Sequence, residues 1–511
     1  MVIPAYDWLA HHRRRTPQKL ALVDLHSGRR FSWAELDARS GRLARFLAEG
    51  LGVERGARVA VLAPNTSDVF EVQFACAKLG AIFVPLNWRL ALPELEFIVS
   101  DAEPQVLIHD REFSEVGEAL TSACALRHRV ELAGDGRDSA YERGIARAGS
   151  PREAVPLTHD DVSSLLYTSG TTGRPKGALI THGMTFWNAV NLGGPALVTP
   201  RSVGLTVLPL FHTGGLNCYA NVILHAGGTV WVMRSWDPDA ALRVLADPGQ
   251  GLTHFFGVPA HYLFLGQHPG FEAADLRHLA ICGVGGAPVP LPLLEAYARK
   301  GVPLQQGYGM TETSPSVLVL DADQAVRKIG TTGLPVLHTQ VRLVGEDGRD
   351  VAAGQVGELW VKGPNVTPGY WRRPEATAEA ITGGWLHTGD AARVDDEGYY
   401  TIVDRWKDMY ISGGENVYPA EAESVIYGLE GVVEAAVIGV PDPRWGEVGR
   451  AVVVRREGAR LDEEAVLGHC QGRLARYKIP RSVVFVKELP RNAAGKVLKR
   501  ELRSQLGDPG D

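Results

Sequence analysis

The chain has 511 residues, 45% of them hydrophobic and 22% charged, enough to bury several cores and to divide into at least two domains. Its formal net charge of −6 and pI near 6.3 argue against the concentrated positive footprint of a nucleic-acid binder, so no nucleic-acid partner is expected. The five cysteines (Cys76, Cys124, Cys218, Cys282, Cys470) are scattered and show no paired metal-ligand spacing, which makes them small core hydrophobes instead of a disulfide or zinc framework.

The opening segment MVIPAYDWLAHHRRR lacks an apolar core of signal-peptide length, and its basic cluster follows the apolar residues instead of leading them. No apolar run reaches the roughly 18 residues of a spanning helix. A cytoplasmic protein without a transmembrane segment is expected. Ser32 and Glu35 fit a capping box, and Leu36, Leu43, Phe46 and Leu47 fall on one face of the helix that follows. Residues 58–63 then read as a buried strand, the stretch to Leu79 as a helix, and 81–85 as a second strand. Similar alternation at 204–210, 220–232 and 279–284 predicts α/β layers with largely parallel sheets. After about Thr332 short strands at 341–344 and 357–362 predict a β-rich subdomain. Beyond it, helix at 420–428, extended chain at 433–440 and 450–454, helix at 463–474 and extended chain at 482–486 predict a separate α+β domain. The expected organisation is thus α/β: a large N-terminal domain of layered α/β subdomains plus a β-rich subdomain over 1–406, and a small α+β domain over 407–511.

The segment with the most chemistry follows the apolar stretch 162–166: Tyr167-Thr168-Ser169-Gly170-Thr171-Thr172-Gly173-Arg174-Pro175-Lys176-Gly177. Glycines let backbone N–H groups approach an anion, hydroxyls donate further hydrogen bonds and Lys176 adds charge, so the segment is suited to wrap phosphates. It lacks the Gly-Lys-Ser/Thr ending of a Walker A loop, which disfavours a P-loop NTPase.

The loop resembles the phosphate-binding signature of the adenylate-forming superfamily, which includes acyl- and aryl-CoA synthetases, peptide-synthetase adenylation domains and beetle luciferases. Further similar segments follow in order across nearly the whole chain: Leu208-Pro209-Leu210-Phe211-His212, Gly285-Gly286-Ala287-Pro288, Gln306-Gly307-Tyr308-Gly309-Met310-Thr311-Glu312, Gly384 to Asp390, Asp404-Arg405-Trp406-Lys407-Asp408, and Pro490 to Lys496. The resemblance implies an ATP/AMP site formed by Thr168, Ser169, Gly170, Thr171, Thr172, Gly173, Lys176, Gly286, Ala287, Pro288, Tyr308, Gly309, Thr311, Asp390, Ile402 and Arg405. Within it Tyr308 would stack on adenine, and Asp390 and Arg405 would hold the ribose. Glu312, with Thr168, would ligate the Mg²⁺ that accompanies ATP, a hard cation suited to oxygen ligands. Lys496 would stabilise charge developing at the α-phosphate, Lys407 would be a hinge, and the small domain would be mobile.

Branch follows from His212, which stands where amino-acid-activating domains typically carry an aspartate for the substrate ammonium. Histidine there resembles acyl- and aryl-CoA synthetases, as does the segment Ile411 to Pro419, whose Gly413 and Gly414 would line the pantetheine passage. Arg476 and Lys478 are candidates for the coenzyme A phosphates, although paired basic residues are as often a solvated face. The acid pocket would be formed near Phe186, Trp187, His212, Asn217, Cys218, Phe256, Gly285, Gly307 and Gly309, with no arginine clamp for a second carboxylate. The implied activity is ATP-dependent acid–CoA ligation with coenzyme A as thiol acceptor, on a medium- or long-chain fatty acid or an aromatic acid. The expected partners are that small-molecule carboxylic acid and a second copy of the chain in a homodimer. An enzyme loading a carrier protein and a non-catalytic nucleotide- or acyl-binding protein are the alternatives.

Overall fold

The computed structural model describes residues 2–168, 175–405, 408–412, 415–491 and 497–507. The expected capping box forms: Ser32 Oγ accepts from Glu35 N at 3.3 Å, and Glu35 Oε2 accepts from Ser32 N at 2.8 Å. This satisfies two donors that helix Trp33–Arg45 would otherwise leave open, and the helix buries Trp33, Leu36 and Leu43.

Two sheets dominate the first 335 residues. In the six-stranded sheet the order is Lys176–Thr181, Val162–Thr168, Ile82–Pro85, Arg58–Leu62, Val106–Asp110, His128–Leu132; all neighbours are parallel except the hairpin formed by the first two. The nine-stranded sheet has a parallel centre running Leu304–Gly309, Ile281–Gly285, His254–Gly257, Val203–Thr206, Thr229–Val232, Leu20–Asp24, with antiparallel strands at both edges. The parallel strands are covered on both faces, which is why Arg58–Leu62 reads as an unbroken apolar run instead of an alternating one.

An antiparallel sheet follows, with Gln340–Val344, Gly357–Lys362 and Trp385–Val394 in sequence and Tyr400–Arg405 also paired to Trp385–Val394. The last sheet contains Tyr410–Ser412, Glu415–Val417, Val432–Asp442, Gly446–Arg455 and Ser482–Val486, packed by helices Pro419–Tyr427, Glu463–Cys470 and Lys499–Leu506.

Two elements are shorter than the sequence pattern predicts. The extended stretch from residue 204 ends as a strand at Thr206; beyond it the Asn65 amide replaces a sheet neighbour, donating to Leu208 O at 2.9 Å and accepting from Leu210 N at 2.9 Å. The helix from Glu463 stops at Cys470, where Gln471 turns to ψ 135° ahead of Gly472 at φ +73°. All five cysteines are free and buried. Among the described residues no helix is long and apolar enough to cross a membrane.

Candidate active site

A cleft of about 1320 Å³ runs between the ends of the parallel strands, the antiparallel sheet and the last sheet. Thr168 and Lys176 face each other across the hairpin in antiparallel register. Ser169, Gly170, Thr171, Thr172 and Gly173, which the sequence assigns to phosphate binding, lie outside the described residues. Tyr167, at the start of that segment, points away: its hydroxyl donates to Asp101 Oδ2 at 2.7 Å, and Asp101 also pairs with Arg373 and accepts the Trp371 indole N–H at its carbonyl.

Glu312 sits in the 3₁₀ turn Thr311–Thr313 and is buried. Tyr370 Oη donates to its Oε1 at 2.8 Å, and Thr367 N donates to its carbonyl at 2.7 Å. Burial and the neighbouring Glu312 carboxylate push the Tyr370 phenol well up, so it stays a donor. The Lys176 ammonium lies 5.4 Å from the centroid of the same ring. Strand Lys176–Thr181, the Glu312 turn and the Thr367–Tyr370 segment are therefore one polar assembly. Sequence reasoning missed Tyr370 because the family segments that carried the argument end at Glu312 and resume at Gly384.

The cleft itself is bordered by the nucleoside candidates. Gly286, at φ +79°, holds a left-handed turn that a side chain would strain, and Gly286, Ala287 and Pro288 border the cleft. Tyr308 Oη donates to Asp390 Oδ2 at 2.5 Å, locking the ring beside the buried carboxylate. Asp390 is in turn the cross-strand partner of Arg405, and Ile402 on the same strand packs in one apolar cluster with Tyr308. Thr311 is buried beside Glu312.

The acid-pocket candidates divide. Gly285 and Gly307 are partners on adjacent parallel strands, with Phe256 against Gly285. His212 accepts from Gly214 N at 3.0 Å through Nδ1, and burial pushes its imidazole down to about 4, leaving it neutral at pH 7. Cys218 is buried beside Tyr219, and Trp187 packs edge-on against His338 at 4.9 Å. Phe186 and Asn217, grouped with this pocket from the sequence, border a separate cavity. Gly309 needs a correction. A Cβ there would stand 1.7 Å from Pro315 O, so a larger residue would strike backbone and not project toward an acid. Gly307 is the position with room, its nearest atom being Leu318 O at 3.6 Å. We expect Gly309→Ala to lower the melting temperature by several degrees, since overpacking costs about 1–3 kcal/mol, and Gly307→Ala to leave it unchanged; equal melting curves for the two would contradict this geometry.

Lys496, Lys407, Gly413 and Gly414 lie outside the described residues. The flanks of the Lys496 segment are well tied: Arg491 and Val497 form a bridge, Leu498 N donates to Pro490 O at 2.8 Å, and Arg491 pairs with Glu434 at 2.5 Å. Both Arg491 and Val497 border the main cleft. Lys499, partly buried, pairs with Glu423 at 2.7 Å and lies 3.7 Å from Asp404. Arg476 and Lys478 share a 3₁₀ turn; Lys478 is held by Glu421, so its charge is partly engaged. No group of three or more histidine, cysteine or acidic side chains forms a metal site among the described residues.

The family profile described as "AMP-binding enzyme" matches residues 9–371, and that described as "AMP-binding enzyme C-terminal domain" matches residues 421–496. The chain belongs to the AMP-binding enzyme family. This AMP-binding enzyme is 45% identical to a feruloyl-CoA synthase of Amycolatopsis sp over 98% of the chain and 99% of that protein. It is 38% identical to a long-chain-fatty-acid–CoA ligase of Mycobacterium tuberculosis over 98% of each. The crystal structure of ATP-bound MatB from Rhodopseudomonas palustris superposes with a TM-score of 0.91 at 35% identity, covering 98% of this AMP-binding enzyme and 99% of that chain.

Proposed function

We propose that the acid taken by this enzyme is aromatic. The protein is an AMP-forming acid–CoA ligase, with ATP and coenzyme A as co-substrates and a small carboxylic acid as the group activated. The observation that carries the aromatic reading is the pair Gly285 and Gly307, which face each other in register and leave a stretch of sheet without side chains beside Phe256. A flat ring can lie face-on against such backbone, whereas a flexible chain gains less from it and loses more rotamer freedom. The greater identity to a feruloyl-CoA synthase than to a long-chain-fatty-acid ligase supports the same choice.

In this reading Tyr308 and the Gly286–Ala287–Pro288 turn hold adenine, Asp390 and Arg405 hold the ribose, and the segment between Thr168 and Lys176 wraps the phosphates. Glu312 and Thr168 supply hard oxygen donors of the kind Mg²⁺ takes, and Glu312 fits that role in being buried and oriented by Tyr370. Bound there, the ion would neutralise phosphate charge. Neutral His212 borders the acid without adding a charge of its own. The region of Lys407 is the boundary between a large domain over 1–406 and a small one over 407–511, and the enzyme works in the cytoplasm. CoA-dependent AMP release is the test, with ferulate, indoleacetate and C12 to C16 fatty acids as substrates. The aromatic acids should give kcat/KM about tenfold or more above the fatty acids, and Gly307→Val should erase that preference. A fatty acid turned over better by the parent enzyme would overturn the assignment.

A further inference from the structure

The segment 365–370 grips the Glu312 turn by more than its carboxylate. Besides the Tyr370 hydroxyl on Glu312 Oε1, Thr367 N donates to Glu312 O at 2.7 Å, and Asn365 Nδ2 donates to the next carbonyl along, Thr313 O, at 3.0 Å. The same Nδ2 donates to Ser316 O at 2.8 Å, where the chain enters the strand Ser316–Val319. One side chain thus pins both ends of the stretch 313–316.

Asn365 is wholly buried, as are Thr313 and Ser314. Its amide can stand only one way round. Both partners of Nδ2 are main-chain carbonyls, which accept and cannot donate, while Oδ1 accepts from Thr339 Oγ1 at 2.9 Å. Ser316 is also held from its other side: Asn188 Oδ1 accepts from Ser316 N at 3.2 Å, and Asn188 Nδ2 donates to Asn217 O at 2.8 Å. Those partners are again main chain, which fixes the second amide as well.

What the two amides restrain is a bend that the chain would not keep unaided. Ser314 stands at φ +62° and ψ 39°, in the left-handed region that a side chain makes unfavourable, and such residues persist where their surroundings over-determine them. Ser314 is two residues beyond Glu312. Relaxation of the bend would turn the peptides on either side of Thr313 and carry the Glu312 carboxylate off its setting.

We propose that Asn365 is a positioning residue: by fixing the stretch 313–316 it sets the Glu312 carboxylate for its metal role, and so rests on the role given to Glu312 above. Mn²⁺, which takes the same oxygen ligands as Mg²⁺, reports on this without turnover. The measurement is the EPR signal of free Mn²⁺ over the full chain with a non-hydrolysable ATP analogue, for the parent, Asn365→Leu, Glu312→Gln and the double variant. Leucine keeps the approximate volume of asparagine and removes both donated hydrogens. Asn365→Leu should retain Mn²⁺ about tenfold more weakly than the parent, the scale on which the partners of a metal ligand register. Its pyrophosphate exchange should need correspondingly more magnesium, while thioester formation from supplied acyl-adenylate stays near the parent rate. The double variant should retain Mn²⁺ no more weakly than Glu312→Gln alone, because Asn365 acts through the carboxylate already lost. Thr339→Val removes the hydroxyl that donates to the Asn365 amide and should shift retention the same way by less; it decides the matter should Asn365→Leu fail to fold. Parent-like retention in Asn365→Leu beside weakened retention in Glu312→Gln overturns the proposal and leaves the metal role standing. Parent-like retention in Glu312→Gln removes the metal role and the proposal with it. Additive losses in the double variant, or equal slowing of both half-reactions in Asn365→Leu, would make Asn365 a general prop of the fold and overturn the proposal too.

Discussion

Glu312→Gln is expected to slow acyl-adenylate formation by about 100-fold or more, the scale on which losing a metal-orienting or charge-stabilising group registers. The substitution keeps the volume of a buried side chain and an oxygen for the Tyr370 hydroxyl, so the melting temperature should move by no more than a few degrees. What changes is the carboxylate charge that the proposed metal role requires. Acid-dependent pyrophosphate exchange measured across a magnesium titration separates the possibilities. A variant whose rate recovers at high magnesium has lost affinity for the ion, and one that does not recover has lost alignment as well. Parent-like exchange at low magnesium would remove Glu312 from the metal role. Tyr370→Phe should give a smaller version of the same defect, because it removes only the hydrogen bond that orients the carboxylate.

The second large effect is a separation of half-reactions. Lys496→Ala is expected to cut adenylate formation by about 10²–10³-fold while leaving thioester formation from supplied acyl-adenylate near the parent rate. Lys407→Pro should do the reverse on the proposal that this position is a hinge, since a ring there would restrict the backbone rotation needed to bring another face of the small domain to the acyl carbon. The reasoning is that attack at the α-phosphate and attack by a thiol on the acyl carbon need different surroundings at nearly the same place. Quenched-flow measurement of both steps on each variant gives a direct reading. Equal slowing of both steps in Lys496→Ala, or intact thioester formation in Lys407→Pro, would mean that one fixed arrangement serves the whole reaction.

The parts of this protein that the sequence announced are those governed by local rules. The capping box at Ser32, the strands Gly357–Lys362 and Ser482–Val486, and the buried run Arg58–Leu62 were visible because periodicity and cap chemistry act over a few residues. Residues placed by long-range contact were not. Nothing in the neighbourhood of Tyr370 says that its hydroxyl meets Glu312, and nothing near Asn65 says that its amide will end a strand begun at Val203. Gly309 is the instructive case. The resemblance put it among the acid-pocket residues, but the antiparallel strand Ser316–Val319 returns so closely that the carbonyl just ahead of it occupies the space a side chain would need. Spacing along a chain tells which residues share a face, and says little about what folds back against it.

The end of the chain offers a further consequence. Helix Lys499–Leu506 sends Lys499 to Glu423 and Asp404, and Arg503 to Asp408, whose carboxylate accepts at 2.9 Å. The helix therefore ties the end of the chain to residues on both sides of position 407. Trimming it would remove those ties, and a reporter fused close behind Leu506 would load the same attachment. Labels and surface tethers belong elsewhere, on the exposed turn at Asp347 and Gly348.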